Sequence, residues 1–329
     1  MAKADDPEPQ IQIPQDEAPH HLELEWWYFT GHLSGPDKFG KIHRYGYELT
    51  FFQNLVAGLL PVYEGNLAIT DLTANSFQFD QKIAVQPVPD EKSGYNLNIS
   101  TWHMEGINGS ASLAAQFSNG SYSFQLKQSP IVPVVLQGNG GVIPFGPFGT
   151  SFYYTWPYLF SSGTVTDHGI PVEVTGQSWM DHQWYNPAAI AGGWNWFSVQ
   201  LDNLTQYMLF FIQDGSGQIA QVIATEVKDG TTIHLPAASV SEAVTGSWTS
   251  PVTGFTYPQG WKLKVPGGRL EISPLQKDQE LVVSEASKGA YWEGDTSVSG
   301  TIDGRHVSGV GYTEINPFTA GNNVVKFNH

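Results

Sequence analysis

Apolar and polar residues alternate in short runs along this chain, as in Ser76-Phe77-Gln78-Phe79-Asp80 and Ser121-Tyr122-Ser123-Phe124-Gln125-Leu126, with Gly, Asn, Asp and Pro punctuating the intervals. A period of two sends successive side chains to opposite faces, so these runs predict half-buried strands joined by turns. No long stretch keeps a 3.6-residue period, and 35 Gly with 21 Pro would interrupt most helices. The predicted fold is all-β and antiparallel.

The pattern also repeats. Glu25-Trp26-Trp27-Tyr28-Phe29-Thr30-Gly31-His32-Leu33 returns as Trp194-Asn195-Trp196-Phe197-Ser198-Val199-Gln200-Leu201, and Tyr47–Gln53 returns as Tyr207–Gln213 in the same order. Tyr154 stands eight residues before Ser162-Gly163-Thr164-Val165, as Tyr291 stands before Ser299-Gly300-Thr301-Ile302. Self-similarity of this kind marks a duplicated domain. Short, regular strands lose their exposed edges when closed into a barrel, and an eight-stranded barrel leaves room for one ligand. The expectation is two tandem lipocalin-like antiparallel β-barrels. An N-terminal extension covers 1–24, a first barrel 25–185 and a second 186–329, with the boundary in Tyr185–Gly193. The Pro- and Gly-rich stretch Ser129–Gly149, carrying Ile131, Val134, Val135, Phe145 and Phe148, reads as a lid, an inter-domain connection or a surface excursion.

Composition narrows the partner. With 31 acidic and 15 basic residues the net charge is −16, which repels nucleic acid and anionic lipid. Eleven Trp, 18 Phe and 14 Tyr favour an aromatic-lined cavity for a hydrophobic small molecule. There is no cysteine, so disulfide and thiolate chemistry are excluded. No apolar run approaches the ~20 residues of a membrane-spanning helix, so no stable transmembrane insertion is expected. The polar, Pro-containing opening from Ala2 to Pro19 reads as the mature start of a periplasmic or secreted chain whose targeting segment is gone, with a cytoplasmic location also open. The oligomeric state has no sequence signature.

Candidate chemistry lies where the two copies differ. Glu25 corresponds to Gly193, His32 to Gln200 and Glu48 to Met208, so the first half holds the polar asymmetry. Strand alternation puts Glu25 and Trp27 on one face and Trp26, Tyr28, Thr30 and His32 on the other. A carboxyl buried among aromatics has a raised pKa and can serve as a general acid. In Ser178-Trp179-Met180-Asp181-His182-Gln183-Trp184 the same alternation separates Asp181 from His182, and the repeat matches Asp181 with Glu314 but His182 with Ile315. Glu25, Glu48, Asp181 and His182 are the catalytic candidates, and Trp27, Tyr28, His32, Trp179 and Trp184 the ligand-binding ones. His20-His21 lacks further compact ligand spacing, so neither a metal nor a cofactor is expected. Phosphate-loop and nucleophile-elbow motifs are missing too.

Asp16–His20, EWWYFTGHL at Glu25–Leu33, YELTFFQ at Tyr47–Gln53, WMDHQW at Trp179–Trp184, and YWEG with GxGYTE across Tyr291–Glu314 together resemble the family joining carotenoid 1,2-hydratases (hydroxyneurosporene synthases) with AttH-like lipocalin-like proteins. That resemblance implies two lipocalin-like barrels and hydration of a terminal trisubstituted alkene in a long terpenoid. His182 and Trp184 match the His-x-Trp of the hydratases. The Tyr-x-Asp expected on a following strand is replaced here by Met208-Leu209-Phe210-Phe211-Ile212-Gln213, which leaves Glu25, Glu48 or Asp181 as the acid. Cofactor-independent cyclisation or isomerisation of a polyene, pericyclic chemistry included, and non-catalytic lipid or terpenoid binding are the alternative readings.

Overall fold

A computed structural model describes residues 10–55, 60–187, 192–284 and 289–317. The first sheet holds β1 (Leu24–Pro36), β2 (Ile42–Asn54), β3 (Val62–Asp71), β4 (Ser76–Val85), β5 (Tyr95–Ile99), β6 (Trp102–Ile107), β7 (Ser110–Gln116), β8 (Tyr122–Pro130), β9 (Val135–Leu136), β10 (Val142–Pro144), β11 (Thr150–Asp167) and β12 (Ile170–Tyr185). The second half supplies β13 (Gly193–Leu201), β14 (Gln206–Gln213), β15 (Ile219–Lys228), β16 (Thr231–His234), β17 (Ser241–Val244), β18 (Ser247–Thr249), β19 (Thr256–Pro258), β20 (Trp261–Val265), β21 (Gly268–Pro274), β22 (Glu280–Ser284), β23 (Gly289–Ile302) and β24 (Arg305–Asn316). The alternation predicted from the sequence is thus realised as an all-β, antiparallel molecule. No helix among the described residues is long and apolar enough to cross a membrane.

Strand order matches over nine strands, and β5 at the end of the first path has no counterpart in the second. The first runs β4-β3-β2-β1-β12-β11-β8-β7-β6-β5, and the second runs β16-β15-β14-β13-β24-β23-β21-β20-β17. The first sheet curls until Lys82 Nζ donates to Thr101 Oγ1 at 2.7 Å and Gln86 Nε2 to the Asn98 carbonyl at 2.8 Å, so its two ends nearly meet. Register carries the duplication to single residues. Trp26 lies opposite Phe52 as Trp194 lies opposite Ile212, and Tyr28 opposite Asp181 as Trp196 opposite Glu314. A bulge between Trp156 and Leu159 breaks the match in one place. Its extra residue makes Tyr153, not Tyr154, the counterpart of Tyr291, despite the equal spacing to the Ser-Gly-Thr runs.

Each barrel fills its own interior. Trp27, Phe29, Tyr47, Leu49, Phe51 and Trp102 pack inside the first, and Phe197, Tyr207, Leu209, Phe211, Trp261 and Trp292 inside the second. A third cluster, including Tyr28, Tyr153, Trp179, Trp196, Phe210 and Tyr312, joins the barrels by faces that a solvated sheet would leave polar. Gly46 permits the close approach, since a Cβ there would stand 2.6 Å from the Asp295 carboxylate. The Ser129–Gly149 stretch serves as an inter-barrel connection: Ile143, Phe145 and Phe148 enter the third cluster, while Ile131 stays exposed. Residues 10–23 cross the mouth of the first barrel. Ile11 is buried there, and the Glu17 carboxylate accepts the Asn108 and Gly109 backbone N–H groups at 2.7 and 3.2 Å.

Candidate functional site

The main cavity, about 450 Å³, opens between the barrels rather than inside either one. Aromatic side chains pack both interiors, and this cavity lies where the two barrels meet. Aromatic rings line much of the cavity, among them Trp26, Phe148, Trp194, Trp196 and Phe210. Carboxyls line it as well: Glu48 and Glu64 from β2 and β3, Glu293 and Glu314 from β23 and β24, and Asp181 from β12. Among the described residues, neither Lys nor Arg lines it.

Of the hydrogen bonds that cross between the barrels, two reach cavity carboxyls in opposite senses. The Tyr28 hydroxyl of the first donates to Glu293 Oε1 of the second at 2.7 Å, and the Tyr291 hydroxyl of the second donates to Glu48 Oε1 of the first at 2.9 Å. Thr50 Oγ1 also donates to Glu48 Oε1, at 2.8 Å. Glu48 and Glu293 are each 1% exposed, and Oε2 of each has no protein partner. Asp181 differs, because both of its oxygens are engaged: Tyr153 donates at 2.8 Å, Thr155 at 2.6 Å and Trp179 Nε1 at 3.0 Å.

Burial without a cation sets the protonation. It pushes Asp181 up to about 7 against the pull of its three donors, and Glu64 up to about 7. Glu48 and Glu314 are also raised by burial, and Glu293 is raised furthest, first by burial and then by the neighbouring Glu48 and Glu314 carboxylates. Like charges this close in an apolar setting cannot all ionise, so the cluster holds protons near neutral pH.

Glu25 and His182 lie elsewhere, inside the first barrel. His182 Nε2 is 2.7 Å from Glu25 Oε1, its Nδ1 is 3.1 Å from the Tyr154 hydroxyl, and its ring stacks on Trp27 with centroids 4.5 Å apart. Burial depresses His182 to about 4, with the Glu25 hydrogen bond opposing, so the imidazole is neutral.

The sequence candidates therefore divide between two places. Glu48, Asp181 and Tyr28 line the inter-barrel cavity, whereas Glu25, His182, Trp27 and Trp184 belong to the barrel interior. Trp179 supports Asp181 from behind, and His32 pairs with Asp295 at 2.9 Å on the barrel seam. The alternation argument that separated Asp181 from His182 describes this division. Sequence reasoning missed Glu64 and Glu293 and treated Glu314 as framework. A usable signal was present, because these three share strand faces with the repeated Trp and Tyr residues.

The AttH-like family profile matches residues 4–317, in agreement with the AttH-like part of the motif resemblance. Kievitone hydratase of Fusarium solani subsp. phaseoli is 29% identical over 191 residues, 55% of this chain and 53% of that protein, so the match spans about half the relative's length. An AttH crystal structure from Nitrosomonas europaea is similar with TM-score 0.81 and 29% identity, over 94% of this chain and 97% of that one. Kievitone hydratase from Nectria haematococca follows with TM-score 0.70 and 20% identity, over 94% and 97%. CghA bound to Sch210972 has TM-score 0.59 and 12% identity, over 97% of both chains. The last two likenesses are of fold.

Proposed function

This chain belongs to the AttH-like family, and we propose that it is a hydro-lyase-type enzyme that adds water to an alkene of a hydrophobic terpenoid or polyene in the inter-barrel cavity. The observation that carries this reading is the pair of buried carboxyls, Glu48 and Glu293, each keeping one oxygen without a protein partner in a cavity lined largely by aromatic rings.

A neutral carboxyl at Glu293 gives its proton to one alkene carbon, and the π electrons form the new C–H bond. The other carbon becomes a tertiary cation, as the carotenoid 1,2-hydratase resemblance implies for a terminal trisubstituted alkene. The faces of Trp194 and Trp196 stabilise that cation by up to about 2 kcal/mol where water is excluded. Water attacks the cation, and Glu48 or the carboxylate left at Glu293 accepts the released proton. Tyr28 and Tyr291 hold the two carboxyls in place through Oε1, leaving Oε2 toward the ligand. No cofactor takes part in this scheme.

The test incubates the protein with a panel of terpenoid alkenes in oxygen-18-labelled water and reads products by mass spectrometry. Hydration gives a product heavier by one labelled water. An unlabelled product of unchanged formula would replace it with cyclisation or isomerisation in the same cavity, and ligand recovered unaltered throughout would leave a carrier.

A further inference from the structure

The first barrel holds a second constellation that the cavity does not use. His20 from the N-terminal segment, Glu25 from β1 and His182 from β12 converge there, with one ligand atom of each within 4.8 Å of the others. From this convergence we propose that His20 Nδ1, Glu25 Oε1 and His182 Nε2 form a binding site for a divalent transition cation of the zinc class, which fastens the N-terminal segment to the mouth of the first barrel.

The donor set is two imidazoles and one carboxylate, which suits zinc and its neighbours and disfavours the all-oxygen preferences of calcium and magnesium. The outer partners point the same way. A ligating histidine usually gives its second ring N–H to an oxygen. His182 Nδ1 faces the Tyr154 hydroxyl at 3.1 Å, and His20 Nε2 faces Asp16 Oδ1 at 3.6 Å. Glu25 is oriented as well: its Oε2 accepts the His20 backbone N–H at 2.8 Å and Gln53 Nε2 at 3.1 Å, which aims Oε1 at both imidazoles. Gln53 is itself held by the Tyr63 hydroxyl.

Aromatic rings fix the imidazole planes without covering their edges. His20 stacks on Trp184 with centroids 4.1 Å apart and His182 on Trp27, so the in-plane lone pairs remain directed at Glu25. His20 Nδ1 and His182 Nε2 now stand 2.8 and 2.7 Å from the Glu25 oxygen. Metal–ligand bonds of about 2.0–2.2 Å put tetrahedral donors roughly 3.3 Å apart, so each must open by about half an ångström. His20 is 22% exposed, which gives the cation a way in. Compact sequence spacing could not show this site, because two ligands lie five residues apart and the third is 157 positions on.

Equilibrium dialysis of the chelator-treated full chain against Zn²⁺, with metal counted by mass spectrometry, tests the proposal beside a thermal melt. The expected result is one zinc per chain and a Tm that rises with zinc. His20→Ala, on the partly exposed segment, should weaken binding at least 100-fold and abolish the Tm rise, and Tyr154→Phe should weaken it about 10-fold. His182→Gln is a further check, but His20→Ala decides the matter if that variant does not fold. Binding below one equivalent, or binding unchanged in His20→Ala, would overturn the site. So would zinc lost only on replacing His168 at the far end of the barrel.

Discussion

The β2–β3 face of the first barrel and the β14–β15 face of the second occupy the same place in a repeated plan, yet they bring opposite chemistry to the seam. By register, Glu48, Thr50, Glu64 and Asn66 correspond to Met208, Phe210, Gln221 and Ile223. One face gives the shared cavity acid and amide, and the other chiefly closes it with apolar surface. β11 and β23 divide in the opposite direction, since Thr155 of the first barrel corresponds to Glu293 of the second. Duplication supplied two equivalent walls, and divergence made the β2–β3 corner acidic and the β14–β15 corner apolar. Such a polarised cavity can hold an apolar ligand in one orientation toward its proton source.

The largest expected effect breaks the acidic corner. Glu293→Gln, and separately Glu48→Gln, should lower turnover by about 10²–10⁴-fold, the usual share of general acid–base catalysis, with the fold intact by circular dichroism. Met208→Gln, at the position matching Glu48, should change it little. Equal losses in all three variants would mean that the two faces do not differ in role.

Truncating the apolar corner comes next. Phe210 is 4% exposed and packs against Phe145 and Trp194, so Phe210→Ala should cost about 3–5 kcal/mol in a denaturant titration. It should raise KM more than it lowers kcat. A fall in kcat alone would give that wall a chemical role.

The smallest effect concerns pH. Asp181 has a folded pKa of about 7, so the folded state holds its proton more tightly than the unfolded one. Its contribution is complete below the unfolded value near 4 and is lost as pH rises through 7. Asp181→Asn should therefore flatten the decline in stability between pH 4 and 8 by on the order of 2 kcal/mol, after allowance for water entering the cavity. His182 works in the other sense, because its depressed pKa stabilises above about 6.5 and the benefit is lost as pH falls through 4. Parallel pH curves for wild type and Asp181→Asn would show that the carboxyl is ionised and well solvated.

Fold was legible because the signal is local. Alternation names the strands, and the repeated Trp and Tyr positions give the plan; the register bears out Trp26 with Trp194 and Tyr47 with Tyr207, but not Tyr154 with Tyr291. The site was less legible, because it depends on which barrel faces meet. Trp26 and Tyr28 stand on the face opposite Trp27, and both faces turned out to be buried, one in a barrel core and one against the other barrel. Comparing the two halves found Glu48, which differs from Met208. The same comparison led away from Glu314, whose similarity to Asp181 made it look like shared framework, although both line the cavity. Glu293 sat within the YWEG motif and was never compared with Thr155, because the bulge at Trp156–Leu159 hides that pairing from simple spacing.

The paired Tyr28–Glu293 and Tyr291–Glu48 bonds also make the site indivisible. Each half of the chain owns one acid and the hydroxyl that steadies the other half's acid. A slip by one strand residue, about 3.3 Å, would undo both bonds at once. Expressed as separate polypeptides, each half would lack the partner of its own carboxyl. Activity regained on mixing them would then report that the seam had reassembled in register, so the protein carries a built-in complementation assay for its own docking.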